Sequence, residues 1–337
     1  KRWPTTDRPA ADKEKEKDKD QEKDPRRHGQ QPTSPVPAAA RHPPPGPSPM
    51  RHTLRQLLVT GTHAVPGVFN AATALLAERA GFPALYVSGA GTANGVAGVP
   101  DIGLLSLEEV VRHARYAAEA VSVPVIADAD TGFGGPLHVR RTVQQFERAG
   151  IAGIHLEGQE NPKRCGHLEG KRLVPVEEME RKVAAAVGAR SDPEFLLIAR
   201  TDARAVEGLS AAIERARRYV AAGADAIFPE GLQSKQEFAE FAAALSVPLI
   251  ANMTEFGKTP LLTVDEFAEL GYRLVLFPMT AFRIAMKAVE EAFAELSAKG
   301  TQRGLIPRMQ TRAELYDLVR YAEYTRLDAA LAGCSTS

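Results

Sequence analysis

The sequence predicts an α/β protein whose fold is a (β/α)8 barrel of the TIM type. Short apolar runs alternate with amphipathic helical segments eight times over roughly 250 residues, the usual length of such a barrel. The apolar runs are nearly continuous, as expected for parallel strands that are buried on both faces. An open, doubly wound sheet is the alternative. Eight regular units and the absence of a Gly-x-Gly-x-x-Gly turn make it the weaker interpretation.

Each predicted strand is a short run of aliphatic and β-branched residues. In chain order, the predicted strands are Ala64–Val68, Ala84–Gly89, Val123–Asp130, Gly153–Glu157, Phe195–Asp202, Ala226–Glu230, Val247–Thr254 and Leu274–Met279.

The segments between these runs have helical periodicity. One of them begins with Ser-Leu-Glu-Glu from Ser106, a spacing that is typical of a capping box. In chain order, the predicted helices are Thr53–Val59, Ala71–Ala80, Ser106–Ala120, His138–Ala149, Val176–Val187, Leu209–Ala222, Lys235–Leu245 and Ala281–Ala298.

The first part of the chain differs in composition from the rest. Lys13 to Lys23 is a run of mixed charge, and Pro32 to Pro49 is rich in proline, alanine and serine. Neither stretch can bury enough apolar surface to offset the entropy of ordering. We therefore expect a disordered low-complexity extension over 1–49, with Met50 as the natural start. The barrel and its C-terminal helices should occupy 50–328, and a flexible tail 329–337.

The composition excludes several function classes. Lysine plus arginine and aspartate plus glutamate both number 42, so no bulk charge indicates a nucleic-acid or membrane partner. No apolar run reaches the roughly 20 residues that a membrane span needs. The two cysteines, Cys165 and Cys334, lie far apart, which is typical of a protein in the reducing cytoplasm.

Polar residues concentrate at the carboxyl ends of the predicted strands, where barrel enzymes place their active sites. Any one of them could be a helix cap or a surface residue, but their shared position favours a functional site. They are Ser88, Asp128, Asp130, Glu157, Arg200, Asp202, Glu230, Asn252, Thr254 and Arg283.

Asp128 and Asp130 are two residues apart on a predicted strand, so we expect both to point to the same side. Two close carboxylates repel each other unless a cation lies between them. Oxygen ligands without a histidine cluster favour Mg2+ or Mn2+ over zinc. Glu157 is a candidate for a water-mediated contact with this ion.

The segment Asn161-Pro-Lys-Arg-Cys-Gly-His places Cys165 directly after two cations. Neighbouring positive charge favours the thiolate, so we expect a lowered pKa and proton exchange near neutral pH. A small buried apolar residue is the alternative reading of this cysteine. Arg200, Arg283 and Asn252 supply hydrogen-bond donors for substrate carboxylates.

A divalent ion, carboxylate-binding arginines and one thiol together predict an enolate mechanism. In this mechanism the metal stabilises a developing 2-oxo-acid enolate while the thiol handles a proton. A papain-like cysteine nucleophile is disfavoured because such sites need no metal pair. A catalytically silent barrel that serves as a binding protein is the alternative from another class, and the intact Asp128, Asp130 and Cys165 argue against it.

The sequence resembles the isocitrate lyase and phosphoenolpyruvate mutase superfamily, and within it the 2-methylisocitrate lyases. The similarity runs in order from about Leu54 to Asp328. The set of motifs is highly specific, although Asp-x-Asp alone would be weak. The matching motifs are Tyr86-Val-Ser-Gly, Asp128-Ala-Asp-Thr-Gly-Phe-Gly, Lys163-Arg-Cys-Gly-His, Ala199-Arg-Thr-Asp-Ala, Phe228-Pro-Glu, Ala251-Asn-Met-Thr-Glu-Phe-Gly and Met309-Gln-Thr-Arg-Ala-Glu-Leu-Tyr.

The resemblance implies cleavage of (2S,3R)-2-methylisocitrate to pyruvate and succinate, in the methylcitrate cycle of propionate breakdown. It implies that Cys165 protonates the carbanionic succinate fragment and that Asp128 and Asp130 form the Mg2+ site. The substrate contacts that it implies are Ser88, Gly89, Ala90, Gly166, Arg200, Glu230, Asn252, Met253, Thr254, Arg283 and Arg312.

The resemblance also implies a homotetramer in which neighbouring subunits exchange C-terminal helices. Two positions depart from the family pattern: Ala90 replaces a second glycine, and Gly158 replaces an aspartate. Related lyases that act on isocitrate, 2,3-dimethylmalate or oxaloacetate are the alternative within the superfamily. Phosphonomutases fit less well because their reaction does not call for the thiol.

Overall fold

Eight parallel strands form the centre of the molecule and confirm the predicted (β/α)8 barrel. The structure is a computed structural model that describes residues 48–333. The predicted extension, apart from its last two residues, and Cys334 lie outside the described residues. The strands are β1 (His63–Val68), β2 (Leu85–Val87), β3 (Val125–Asp128), β4 (Gly153–Glu157), β5 (Leu196–Thr201), β6 (Ala226–Pro229), β7 (Ile250–Asn252) and β8 (Leu274–Phe277).

Helices follow the strands and surround the sheet. Within residues 48–333, no helix is both long and apolar enough to cross a bilayer. The helices are α1 (Pro49–Thr60), α2 (Ala71–Arg79), α3 (Gly89–Thr92), α4 (Leu107–Ala120), α5 (Pro136–Arg148), α6 (Val176–Val187), α7 (Leu209–Ala221), α8 (Lys235–Ala243), α9 (Val264–Glu269), α10 (Thr280–Lys299), α11 (Arg312–Leu318) and α12 (Tyr321–Gly333).

The sheet closes almost completely into a barrel. Neighbouring strands pair in the order β6-β5-β4-β3-β2-β1-β8-β7, and all of these pairs are parallel. The remaining gap is bridged by one parallel pairing of Ile227 with Leu249, where the backbone N–H of Ile227 donates to the carbonyl of Pro248 at 3.1 Å. Closure brings the carboxyl ends of all eight strands to one rim.

The apolar core has two parts. A large part lies between the strands and the surrounding helices, and a smaller part fills the barrel interior. Leu54 and Leu58 of α1 belong to the interior part and are almost fully buried. Because Arg51 and Arg55 of the same helix bond to backbone carbonyls before β4 and β5, α1 covers the amino-terminal end of the barrel.

Both ends of the predicted domain differ slightly from the prediction. Helix α1 begins at Pro49, and the backbone N–H of Ser48 donates to Asp192 Oδ2 at 3.1 Å, so the ordered fold starts before Met50. Helix α12 continues to Gly333, into the segment predicted as a flexible tail. The alanine- and leucine-rich residues at the end of α12 have high helix propensity, which the tail prediction underrated.

We expect Leu54→Ala to lower the free energy of unfolding by about 2–5 kcal/mol, because Leu54 is fully buried in the barrel interior. Chemical denaturation measures this change. Val59→Ala in the same helix is the matched control: Val59 is 75% exposed, so its replacement should change stability by no more than about 0.5 kcal/mol. Equal effects of the two substitutions would contradict the placement of α1.

Candidate active site

A cavity of about 480 Å³ lies at the rim formed by the carboxyl ends of the strands. Most of the predicted site residues meet there although they come from distant parts of the chain. The predicted residues that line the cavity are Ser88, Ala90, Asp128, Cys165, Gly166, Arg200, Glu230, Asn252, Thr254 and Arg283.

Six predicted residues do not line this cavity, among them Glu157 and Asp202, which are almost fully buried. Gly89 lies behind its wall, and Met253 is buried with 2% of its surface exposed. Asp130 lines a neighbouring groove between α4 and α5. Arg312 is exposed on α11 and does not reach the cavity of its own chain.

Asp128 ends β3 and is held by several donors. Its Oδ2 accepts hydrogen bonds from the Tyr86 hydroxyl at 3.3 Å and the Gly89 N–H at 3.2 Å, and its Oδ1 accepts from the Asp130 N–H at 2.9 Å. A Cβ on Gly89 would lie 2.6 Å from Asp128 Oδ2, so only glycine permits this approach. Burial by itself raises the pKa of Asp128, but His155, Lys163 and Arg200 outweigh it and hold that pKa well below its usual range. Asp128 is therefore ionised.

Asp130 lies beyond β3, not on the strand as the sequence predicted. Its φ of 47° turns the backbone away from the extended conformation, so the same-side argument for the two aspartates does not apply. Its carboxylate forms an ion pair with Lys163, whose Nζ also lies 2.7 Å from Asp101 Oδ1. Burial, opposed by Lys163, raises the pKa of Asp130 to about 6.

Glu157 ends β4 and is almost fully buried. Gln159 Nε2 donates to its Oε1 at 3.1 Å, and Arg200 Nε lies 3.3 Å from its Oε2, which accepts no hydrogen bond. Burial, only partly offset by Arg200 and Lys163, raises the pKa of Glu157 to about 8.

The carboxylates at this rim fit a hard divalent cation. Within residues 48–333, no group of three or more histidine, cysteine, aspartate or glutamate side chains forms a closed metal cage. Mg2+ does not require one, because it binds through one or two carboxylates and takes its other oxygens from water and substrate. Asp128 is ionised and faces the cavity, and the unbonded oxygen of Glu157 is a buried acceptor nearby.

Arg200, the centre of the positive charge, extends from β5 into the cavity. Its guanidinium donates to both oxygens of Asp202, at 2.9 and 3.1 Å, and lies over the ring of Phe228. Burial opposes its charge, but Asp202, Glu157 and Glu230 outweigh this effect and raise the pKa of Arg200. It stays charged and stabilises the surrounding carboxylates.

Glu230 follows β6 and receives donors from two sides. Asn252 Nδ2 donates to its oxygens at 3.2 and 3.0 Å, and His167 Nε2 lies 3.1 Å from its Oε1. Burial raises its pKa, yet Arg200 and His167 outweigh burial and hold the pKa of Glu230 well below its usual range. Because His167 Nδ1 accepts the backbone N–H of Lys258, its Nε2 carries the proton that faces Glu230.

Cys165 lies in a loop that spans residues 160–172, here called the cysteine loop. Its base is closed by backbone hydrogen bonds from Glu160 N–H to Arg172 O and from Val174 N–H to Gly158 O. The loop docks closely on the rim: a Cβ on Gly166 would lie 2.1 Å from Glu230 Oε1. This contact explains why glycine follows the cysteine.

The predicted lowering of the pKa of Cys165 is wrong. Although the residue is exposed, partial desolvation of its thiol at the cavity raises the pKa of Cys165, and a hydrogen bond from the His167 backbone only partly opposes this effect. The two preceding cations point elsewhere: Lys163 pairs with aspartates, and Arg164 Nη1 donates to the carbonyl of Glu169. Adjacency in sequence therefore did not bring their charges to the sulfur, and the thiol remains protonated.

Sequence reasoning missed the polar contacts inside the barrel. His155 is fully buried on β4, and its Nε2 lies 2.8 Å from the Tyr86 hydroxyl, which in turn donates to Asp128. Burial lowers the pKa of His155. A histidine within an apolar strand was the available signal. Chemically, the cavity combines carboxylates for a cation, donors for substrate carboxylates and a protonated thiol.

Comparisons with known proteins agree with this geometry. The family model described as phosphoenolpyruvate phosphomutase matches residues 54–297. A 2-methylisocitrate lyase from Aeropyrum pernix is 54% identical over 267 residues, covering 79% of this chain and 86% of the relative. A 2-methylisocitrate lyase from Bacillus subtilis is 47% identical over 269 residues, covering 80% of this chain and 88% of the relative.

A solved structure extends the similarity to three dimensions. The crystal structure of 2,3-dimethylmalate lyase superposes with a TM-score of 0.80 at 36% identity, covering 85% of this chain and 96% of that one. That protein is described as a member of the same superfamily. The chain therefore belongs to the phosphoenolpyruvate mutase/isocitrate lyase superfamily, in which it is a lyase related to the 2-methylisocitrate lyases.

Proposed function

We propose that the protein cleaves 2-methylisocitrate to pyruvate and succinate, as a Mg2+-dependent step of the methylcitrate cycle of propionate breakdown. The observation that carries the proposal is the position of Cys165, on the wall of a cavity that also presents Asp128, Arg200 and Glu230. The identity to relatives named 2-methylisocitrate lyase supports the choice of substrate.

Asp128 and Asp130, with Glu157 near them, would hold the Mg2+ ion. When bound, Mg2+ supplies positive charge to the oxygens of the 2-oxo acid fragment. The protein itself keeps Asp128 ionised through Lys163, Arg200 and the surrounding hydrogen bonds. This arrangement supports binding of a cation without a cage of protein ligands.

Substrate carboxylates need donors that are not already used. Arg283 is 46% exposed at the cavity mouth, and its Nε lies 3.6 Å from Glu255, so its guanidinium remains accessible. Ser88 also faces the cavity, whereas the amide of Asn252, which lines it as well, already donates to Glu230. Arg200 mainly supplies charge, because its guanidinium N–H groups already donate to both oxygens of Asp202. Two arginines and short polar side chains match a substrate with several carboxylates.

Cys165 is the proposed proton donor. When the carbon–carbon bond breaks, the electron pair stays on the succinate carbon. The hydroxyl oxygen of the substrate passes its proton to an ionised carboxylate of the cavity wall and becomes the keto oxygen of pyruvate. A donor must hold its proton at the working pH, and the raised pKa of the Cys165 thiol meets this need. Activity should therefore fall as the pH rises through that pKa.

Related lyase reactions are the alternative function. The similarity to 2,3-dimethylmalate lyase supports this alternative, in which the substrate has one carboxylate fewer than 2-methylisocitrate. Ala90 lies on the cavity wall and occupies space that a glycine would leave open, so the side chain bears on substrate choice.

The C-terminal helices support the proposed homotetramer with exchanged helices. Helix α10 has no buried residue, and Ile284 and Phe293 on it are each 66% exposed. Exposed apolar side chains in such numbers are typical of a surface that another subunit covers. Arg312, which lies far from its own cavity, would approach a substrate only through such an exchange.

A substrate panel tests both the reaction and the metal. Purified protein is expected to release pyruvate from 2-methylisocitrate faster than it cleaves isocitrate, 2,3-dimethylmalate or oxaloacetate.

Excess chelator should abolish turnover and Mg2+ restore it, because the site carboxylates bind hard cations. Asp130→Ala should lose this metal-dependent turnover without loss of melting temperature. Full activity in chelator would reject the metal, and preference for another substrate would select the alternative.

Cys165→Ser is expected to lower kcat roughly 10²- to 10⁴-fold, because a serine hydroxyl is a much weaker acid than a thiol. Binding of pyruvate with Mg2+ should change little, since the arginines and carboxylates remain. Cys334→Ser serves as the control and should leave turnover unchanged. Turnover near the normal rate in the Cys165 variant would exclude the thiol as the donor.

Light scattering on the purified protein is expected to give the mass of four chains. Ile284→Asp combined with Phe293→Asp should reduce this mass, because each charge would be buried in the proposed interface. Val59→Asp, at an exposed site on α1, should leave it unchanged. A monomer for the unaltered chain would contradict the proposed assembly.

A further inference from the structure

The backbone on each side of Cys165 is held by a buried side chain at the base of the cysteine loop. The Gln159 amide donates to the carbonyl of Arg164 at 2.8 Å and accepts its backbone N–H at 3.0 Å. Lys171 Nζ donates to the carbonyl of Gly166. The residues before and after Cys165 are thus each tied down, while Arg164 and Cys165 themselves are exposed.

Both side chains also form hydrogen bonds with buried charged groups near the cavity. Gln159 Nε2 also donates to Glu157 Oε1 at 3.1 Å. Lys171 Nζ lies 3.2 Å from Asp202 Oδ1, the oxygen that accepts from Arg200 Nη2 at 2.9 Å. The loop backbone is therefore connected through two short hydrogen-bonded chains to Glu157 and to Arg200.

The burial of these two side chains indicates a specific role. Gln159 is 1% exposed and Lys171 is 6% exposed, although both lie in a segment whose other polar residues mostly face solvent. Burying an amide or an ammonium costs free energy unless its hydrogen bonds are satisfied. Here most of those bonds are made to the closed cysteine loop, so opening the loop would leave both groups short of partners.

We propose that Gln159 and Lys171 are positioning residues that hold the cysteine loop closed and place the Cys165 thiol at the cavity wall. They act through the backbone of Arg164 and Gly166 and touch no reacting atom. The effect on catalysis rests on the proposed function of Cys165 as proton donor, whereas the effect on the loop does not.

Gln159→Met and Lys171→Met test the proposal on the full chain. The lysine substitution keeps most of the side-chain length and leaves Asp202 paired with Arg200, so the fold should survive. The first readout is the rate at which iodoacetamide alkylates Cys165, followed by mass spectrometry without substrate. We expect this rate to rise roughly 5-fold or more, because losing hydrogen bonds that exist only in the closed loop shifts the loop toward open states.

Lys258→Met is the matched control. Lys258 also contacts the cysteine loop, at 3.2 Å from Glu169 Oε1, but its side chain is largely exposed and bonds to neither neighbour of Cys165. Its replacement should change the alkylation rate by less than about twofold, as exposed ion pairs contribute little. Lys171→Arg, which retains a charged donor, should restore much of the slow alkylation.

The second readout is turnover. Both methionine variants should lose kcat by roughly 10-fold or more with little change in KM, because a misplaced donor affects the proton step rather than substrate binding. Unchanged alkylation of Cys165 in folded Lys171→Met protein would overturn the proposal, whatever the fate of the Gln159 variant. Faster alkylation in a protein that cleaves none of the tested substrates would support the positioning role of Gln159 and Lys171 and reject the proposed function.

Discussion

The rim of the barrel depends on the buried charge of Arg200. Three carboxylates surround it, from Asp202, Glu157 and Glu230, and all three are almost fully buried. Such groups cannot remain ionised away from water without a cation close by. The register of the sheet provides that proximity, because Glu157 of β4 pairs directly with Arg200 of β5. A slip of one residue in this pairing would place the two side chains on opposite faces of the sheet.

The surroundings of the cavity give similar carboxyl groups different ionisation states. Asp128 and Glu230 lie among cations and donors, which lower their pKa values, whereas the pKa of Glu157 rises to about 8 because burial outweighs its partners. One rim thereby holds permanent anions beside a carboxyl that can carry a proton. This separation supports a site that binds a cation and also handles protons.

The cysteine loop completes the site from outside the barrel. It brings a protonated thiol to the wall, and Gly166 allows its backbone to approach Glu230. The hydrogen bonds from Gln159 and Lys171 connect the loop to the same charged groups that shape the cavity. In the proposed closed state, the loop backbone and the rim charges therefore share one set of hydrogen bonds.

The sequence by itself determined the barrel and the approximate location of the site. Apolar runs and helical periodicity are local patterns, and the carboxyl ends of parallel strands must meet at one rim. Site residues such as Arg200 and Glu230 could therefore be predicted from the sequence. Only the tertiary structure decided the turn at Asp130, the raised pKa of Cys165 and the hydrogen-bond partners of His155 and Lys171. The physical reason is that a side chain's charge state and partners depend on burial and on groups brought together through space. Neighbours in the chain, such as the two cations before Cys165, need not be neighbours in the fold.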